Sequence, residues 1–168
     1  SKRFNSKTPK PYHLYKGKPL LMHSVDRAKS YKKFKKIVVV INKNHEKFIK
    51  KLQIPNIKII IGGRTRAESA YKGLNSLKNL NTKFVMIHDA ARPNFSLKLL
   101  DKLKNEIKLN NCVVPAIQTA DSVKQKIKGR VKNLKRENIY FMQTPQAFNF
   151  NKLFKLQKNK GLEVTDDA

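Results

Sequence analysis

The sequence predicts an α/β domain with a mostly parallel sheet, helices on both faces of that sheet and one projecting β-arm. Short unbroken apolar runs alternate with segments of helical period, each run stops at a polar or glycine-containing turn, and beyond Ser122 the alternation gives way to a polar hairpin pattern. Strands covered on both faces read as continuous apolar runs, and strands separated by helices feed parallel neighbours. In such sheets the ligand crevice lies beyond the carboxyl ends of the strands.

The elements follow in order. Pro19 opens a helix over Leu20 to Tyr31, with apolar residues at Leu20, Leu21, Val25 and Ala28. Lys36 to Ile41 is the first strand, and a short helix near Asn44 to Leu52 leads to the second, Ile57 to Ile61, which stops at Gly62-Gly63. Arg66 to Leu80 reads as helix and Phe84 to Ile87 as the third strand, ending at His88-Asp89. A helix with Leu97, Leu100, Leu103 and Ile107 on its buried stripe precedes a strand over Cys112 to Ile117. Val123 to Ile127 and Val131 to Leu134 flank Lys128-Gly129-Arg130 as a hairpin, and a last helix begins near Asn149. The arm, residues 122–140, has too little core to stand alone, and a second subunit is the surface expected to receive it. All of this suits one domain, residues 1–168.

The charge balance narrows the partners without naming one. Against 11 Asp and Glu stand 38 Lys and Arg, a formal net charge of +27, so the surface attracts nucleotides, nucleic acids and other anions. Many of the lysines, such as Lys98, Lys102, Lys104 and Lys108, fall between apolar positions of a helix and read as a solvated face. A nucleic-acid-binding protein is the alternative this charge raises, but zinc-finger spacing, tryptophan and an RNA-recognition signature are lacking. The one cysteine, Cys112, excludes an intrachain disulfide, and no apolar stretch approaches the roughly 18 to 20 residues that span a bilayer. The expectation is a cytoplasmic protein without a membrane partner.

Several polar residues stand where the crevice is expected. Gly62-Gly63 permits either a tight turn or close backbone approach to a ligand, and Ser69 follows within the first turns of the next helix. Asp89 leaves a hydrophobic strand and is placed either to hold a divalent cation against phosphate oxygens or to cap its own loop. Ala90 and Ala91 leave room for a nucleotide or for close backbone packing, and Arg92 offers a planar fork to phosphate. His88 at a strand end reads first as a packed, hydrogen-bonded residue. Arg64 and Arg66 either touch phosphate or face water. Arg3 and Lys10, seven positions apart in a segment without helical pattern, are able to converge on one polyphosphate.

Thr8-Pro9-Lys10-Pro11-Tyr12, Gly62-Gly63-Arg64-Thr65-Arg66-Ala67-Glu68-Ser69, His88 to Pro93, Asp121-Ser122-Val123-Lys124 and Gln143 to Phe148 occur in an order and at intervals that resemble one family. That family is the 2-C-methyl-D-erythritol 4-phosphate cytidylyltransferases, including the cytidylyltransferase part of the fused bifunctional enzyme. The resemblance runs over nearly the whole chain. It implies a Rossmann-like nucleotidyltransferase fold, a homodimer with exchanged arms, CTP and 2-C-methyl-D-erythritol 4-phosphate as substrates, and Mg²⁺ or another divalent cation. By the same resemblance Arg3 and Lys10 look like the catalytic cations around the triphosphate. Gly63, Ser69 and Ala90 look like cytidine-site residues, and Asp89 like a nucleotide-site carboxylate on the metal side. Arg92 and Ser122 look like acceptor-phosphate contacts within a subunit, Arg136 and Thr144 like contacts from across the dimer.

Two departures bear on the expected geometry. Pro11 stands where the family commonly has Gln, and Ser122 where Thr is common, changes that tune loop shape without removing a charge. The family's usual first strand and glycine-rich loop belong ahead of Arg3, and a later phosphate-binding Lys belongs after Ala168, so the fold is expected to be incomplete at both ends. A nucleotidyltransferase using another sugar or polyol phosphate is the enzymatic alternative, since similar sheets handle many acceptors.

Overall fold

The computed structural model describes residues 8–52, 54 and 57–159. A short antiparallel pair, β1 (Leu14–Tyr15) and β2 (Lys18–Pro19), leads into α1 (Leu20–Ser30). Then come β3 (Val38–Ile41), α2 (Glu46–Lys50), β4 (Lys58–Ile61), α3 (Arg66–Asn75), β5 (Phe84–Ile87) and α4 (Leu97–Glu106). The remaining elements are β6 (Cys112–Val113), β7 (Ala116–Gln118), β8 (Val123–Ile127), β9 (Arg130–Leu134), β10 (Tyr140–Met142), β11 (Gln146–Asn149) and α5 (Phe150–Asn159). No helix among the described residues is long and apolar enough to cross a membrane.

The alternation of apolar runs with helices is borne out, and so is the α/β class. β3 and β4 form the expected parallel pair, in register from Val38 opposite Lys58 to Ile41 opposite Ile61. β4 is an edge rather than a doubly covered strand, with Ile59 and Ile61 partly open to solvent. β5, β11 and β6 form a second sheet in which β11 lies in the middle and runs antiparallel to both neighbours. That central strand, Gln146–Asn149, carries no long apolar run and is not among the strands the sequence predicts. Tertiary pairing, not local propensity, makes it a strand.

Helices cover both faces of this second sheet. Met86, Ala147 and Val113 turn to one face, where they pack against Leu99, Leu103 and Ile107 of α4 and its C-terminal turn. Val85, Ile87 and Phe148 turn to the other, against Leu74 and Leu77 from α3 and its following turn and Phe150, Leu153 and Phe154 of α5. The alternation along each strand is the period-two geometry of a pleated sheet. Thr65 and Ser96 begin α3 and α4 by accepting hydrogen bonds from the amides of Glu68 and Leu99, at 3.1 and 3.0 Å.

One expected strand is two. Cys112 to Ile117 divides at Val114-Pro115, where proline has no amide to donate to a ladder. β6 stays beside β11, whereas β7 pairs with β10, and the Pro115 carbonyl accepts from the Gln143 amide at 2.8 Å. The expected hairpin is present as β8 and β9, in register from Val123 opposite Leu134 to Ile127 opposite Arg130. Its two turn residues, Lys128 and Gly129, both take positive φ, 46° and 82°, as a two-residue hairpin turn requires.

Candidate functional site

β4 and β5 deliver their carboxyl-terminal loops to one place. The first loop, Gly62 to Thr65, is closed by its own helix. The Gly62 amide bonds the Ile41 carbonyl at 2.7 Å, the Gly63 amide donates to Ser69 Oγ at 3.1 Å, and Ser69 Oγ donates to the Thr65 carbonyl at 2.9 Å. The Glu68 carboxylate accepts from the Arg64 amide at 2.6 Å, and the Lys72 ammonium reaches back to the Gly62 carbonyl at 3.0 Å. Both glycines are required by close approach. A Cβ at Gly62 would lie 2.5 Å from Ser69 Oγ, and one at Gly63 would lie 2.2 Å from the Cβ of Glu68.

The second loop carries the charge. Asp89 Oδ2 faces Arg92 Nε at 3.0 Å, and Asp89 Oδ1 faces Arg66 Nη2, from the first turn of α3, at 3.7 Å. The Arg66 contact joins the β4 loop to the β5 loop. Arg92 also donates through Nη1 to Gln143 Oε1 at 3.2 Å, which ties it to the segment between β10 and β11. The buried Ser24 hydroxyl of α1 donates to the Ala90 carbonyl at 2.7 Å. Ala90 packs on the cluster of Tyr12, Leu21, Val25, Val39, Ile41 and Ile49.

His88 and Thr144 are joined by a directed chain of hydrogen bonds. The Asp89 amide donates to Thr144 Oγ1 at 3.3 Å, Thr144 Oγ1 lies 3.0 Å from His88 Nδ1, and His88 Nε2 lies 2.9 Å from the Arg92 carbonyl. A carbonyl only accepts, so Nε2 carries the proton and a neutral ring accepts from the Thr144 hydroxyl at Nδ1. Burial is the largest influence on this imidazole and holds its pKa below the usual histidine range, against the opposing pull of the Arg92 carbonyl and the Asp89 charge. The ring packs edge-on against Phe95, with centroids 4.6 Å apart.

Of the residues expected to act, the structure gathers Gly63, Ser69, Asp89, Ala90, Arg92 and Thr144 around these two loops. Thr144 lies against its own chain's Asp89 and His88. Lys10 is exposed on a short 3-10 turn, Lys10–Tyr12, whose Tyr12 is buried in the cluster that carries Ala90. Ser122 and Arg136 form a second group at the base of the arm, lining a groove with Val123, Lys124, Asn133 and Leu134. There Arg136 Nη1 donates to the Ala120 carbonyl at 3.2 Å. The β7–β10 ladder runs from this groove to Gln143 and Thr144. Arg3 lies outside the described residues.

Sequence reasoning overlooked Ser24, Lys72 and the Gln143 contact, and ranked His88 and Arg66 low. Capping logic offered one usable signal, because Thr65 followed three positions later by Glu68 marks a capping box beside the glycine pair. Among the described residues no three His, Cys, Asp or Glu side chains cluster to hold a metal ion. Asp89 offers one carboxylate, with Oδ1 in only a long contact, and a magnesium ion is commonly held by one or two carboxylates with phosphate oxygens and water completing its shell.

Comparison with known proteins decides the family. The model of the family described as IspD, 2-C-methyl-D-erythritol 4-phosphate cytidylyltransferase, matches residues 1–168. The chain belongs to this family. It is 73% identical over 168 residues to the bifunctional enzyme IspD/IspF of Pelagibacter ubique, a match that takes in 100% of this chain and 45% of that protein. It is 33% identical over 171 residues to the 2-C-methyl-D-erythritol 4-phosphate cytidylyltransferase of Caldicellulosiruptor saccharolyticus, covering 99% of this chain and 76% of that one. The solved bifunctional IspDF of Campylobacter jejuni superposes with a TM-score of 0.84 at 35% identity, over 99% of this chain and 42% of that one. The chain therefore spans less than half the length of the bifunctional cytidylyltransferase relatives it matches.

Proposed function

We propose that this chain is the part of an enzyme that transfers a cytidylyl group from CTP to 2-C-methyl-D-erythritol 4-phosphate, releasing pyrophosphate, in the non-mevalonate route to isoprenoids. The observation that carries the reading is the meeting of the two strand-end loops. Arg66 of the Gly62–Ser69 segment and Arg92 both face Asp89, at 3.7 and 3.0 Å, so cations and a carboxylate converge beyond the carboxyl ends of β4 and β5, where such sheets bind ligands. The matched relatives are named for this reaction or for the bifunctional enzyme that contains it.

In the proposed reaction a phosphomonoester oxygen of the acceptor attacks the α-phosphorus of CTP, and the bond from that phosphorus to the bridging oxygen of pyrophosphate breaks. The second pKa of such a monoester is about 6, so the nucleophile is already largely ionised at neutral pH and needs no obligatory base. The protein's task is positioning and stabilisation of phosphate charge. Gly63 and Ser69 hold the nucleoside, with Ala90 leaving space beside it. Lys10 and Arg3 are assigned to the triphosphate and Arg92 and Ser122 to the acceptor phosphate, while Thr144, its proton committed to His88, has an Oγ1 lone pair left for a hydroxyl of the acceptor. A divalent cation, Mg²⁺ in the simplest case, would be held by Asp89 and would screen the triphosphate oxygens.

Arg136 is proposed to serve the neighbouring subunit's acceptor in a homodimer. Ile117, Tyr140, Phe141 and Met142 on the β7–β10 ladder, with Ile127 and Val131 on the hairpin, leave half or more of each side chain exposed. An apolar surface of this kind beside a hairpin without its own core fits burial against a second copy. The setting proposed for the enzyme is the cytoplasm.

The test uses the full-length protein with CTP, a divalent salt and the acceptor, following pyrophosphate release. Lys10→Ala is expected to lower turnover by about 100-fold or more while leaving Tm unchanged. Equal turnover by UTP, or preference for a sugar 1-phosphate, would replace this reading with the nearest enzymatic alternative.

A further inference from the structure

The geometry points to His88 as a positioning residue that fixes the spacing between the Thr144 hydroxyl, the Asp89 carboxylate and the Arg92 guanidinium. The inference deepens the proposed reaction and rests on it. His88 touches no phosphate-binding group through a charge. It acts through two hydrogen bonds that run in opposite directions from one ring, to Thr144 Oγ1 at 3.0 Å and to the Arg92 carbonyl at 2.9 Å. The first reaches 56 residues along the chain and pins the β10–β11 connection to the β5 loop. The second closes the turn from His88 to Arg92, in which the Arg92 amide also bonds the Asp89 carbonyl at 3.0 Å.

The direction of the chain matters to function. With Nδ1 accepting, the Thr144 hydroxyl spends its proton on His88 and its oxygen receives the Asp89 amide, so a lone pair on Thr144 remains for a donor and none of its hydrogens points at an anion. Thr144 is thereby fixed rather than free to rotate toward substrate, and Arg92 is held between Asp89 and Gln143 with its outer edge open. His88 sets that arrangement from behind, with its ring lodged against Phe95.

The test is a set of variants in the full-length enzyme. His88→Phe keeps a ring against Phe95 and loses both bonds. The expected result is a rise of about tenfold in KM for the acceptor, with KM for CTP changed less than about twofold, matching two neutral hydrogen bonds. His88→Asn, which returns an acceptor near the Nδ1 position, is expected to recover most of that loss. In a Thr144→Val background the His88→Phe effect is expected to shrink to less than about threefold. Unchanged acceptor KM in His88→Phe overturns the inference, and so does equal loss toward both substrates with additive behaviour in the double variant. The ¹⁵N spectrum of the wild-type ring gives a readout independent of turnover and of the variants' folding. A proton on Nε2 is the expected tautomer, and a neutral ring protonated on Nδ1 overturns the inference. A wild-type enzyme that binds CTP but transfers nothing to this acceptor refutes the proposed function instead, and the tautomer still decides the hydrogen-bond chain.

Discussion

Gly63→Ala tests whether the first loop works by close approach. An ideal Cβ at Gly63 falls 2.2 Å from Glu68 Cβ and 2.3 Å from Glu68 Oε2. The carboxylate can swing away, at the cost of the bond it accepts from the Arg64 amide at 2.6 Å. Glu68 Cβ cannot, because it is carried by the first turn of α3, which Thr65 caps at 3.1 Å. Loop and helix must therefore part by roughly 1.3 Å or more to restore ordinary contact. Overpacking of this kind costs about 1–3 kcal/mol and loss of a hydrogen bond to a charged group about 1.5–3, about 2.5–6 together; because the Glu68 carboxylate is solvent-exposed and water replaces its lost partner, about 2–4 kcal/mol is expected.

The displacement also moves the Gly63 amide off Ser69, and a misplacement of about 1 Å lowers kcat/KM by on the order of 100-fold. Urea denaturation and steady-state kinetics with CTP varied, both on the full-length protein, measure the two effects. Adding Glu68→Gly removes the obstructing Cβ, so the double variant should show a coupling of about 1 kcal/mol or more in favour of relief. A Gly63→Ala protein within about 0.5 kcal/mol and about twofold of wild type would refute the close-approach reasoning.

Four other outcomes are expected. Asp89→Asn should lower kcat/KM by about 100-fold or more while costing less than about 1 kcal/mol of stability, since Asp89 and its partners Arg66 and Arg92 are all partly open to solvent; parallel kinetics and thermal melts check it. Arg136→Ala should raise the acceptor KM by about tenfold with the dimer intact by sedimentation, and unchanged KM in an intact dimer would remove its proposed role. Leu100→Ala, at a side chain with 0% exposure, should cost about 2–5 kcal/mol by denaturation. Burial raises the pKa of Tyr12 and of Tyr31 to about 12 from 10.0, so each keeps its proton longer in the folded state. Their contribution is complete below pH 10.0 and is lost as pH rises toward about 12; Tyr31→Phe should flatten the fall in denaturation midpoint across that window.

Much of the fold was legible because its signals are local. β3, β5, α1 and α4 lie within a residue or two of where their apolar periods place them, and the Lys128-Gly129 turn announces the hairpin. The placement of the glycine pair and Asp89 at strand ends was legible for a related reason, since each follows an apolar run. β11 was not legible. Gln146-Ala147-Phe148-Asn149 has no strand period of its own and becomes central only because β5 and β6 offer it two edges. Pro115 likewise hides a change of partner inside one apolar run.

The amino-acid order by itself determined the α/β alternation, the polar strand ends, the arm and the cationic surface, because apolar period and turn chemistry act over a few neighbouring residues. Tertiary structure alone decided which side chains meet. Ser24 holds the Ala90 carbonyl across 66 positions, Gln143 holds Arg92 across 51, and Thr144 joins His88 across 56. Such bonds depend on how sheets and helices stack in three dimensions, and a hydroxyl or amide in isolation carries no mark of the distant partner it will find.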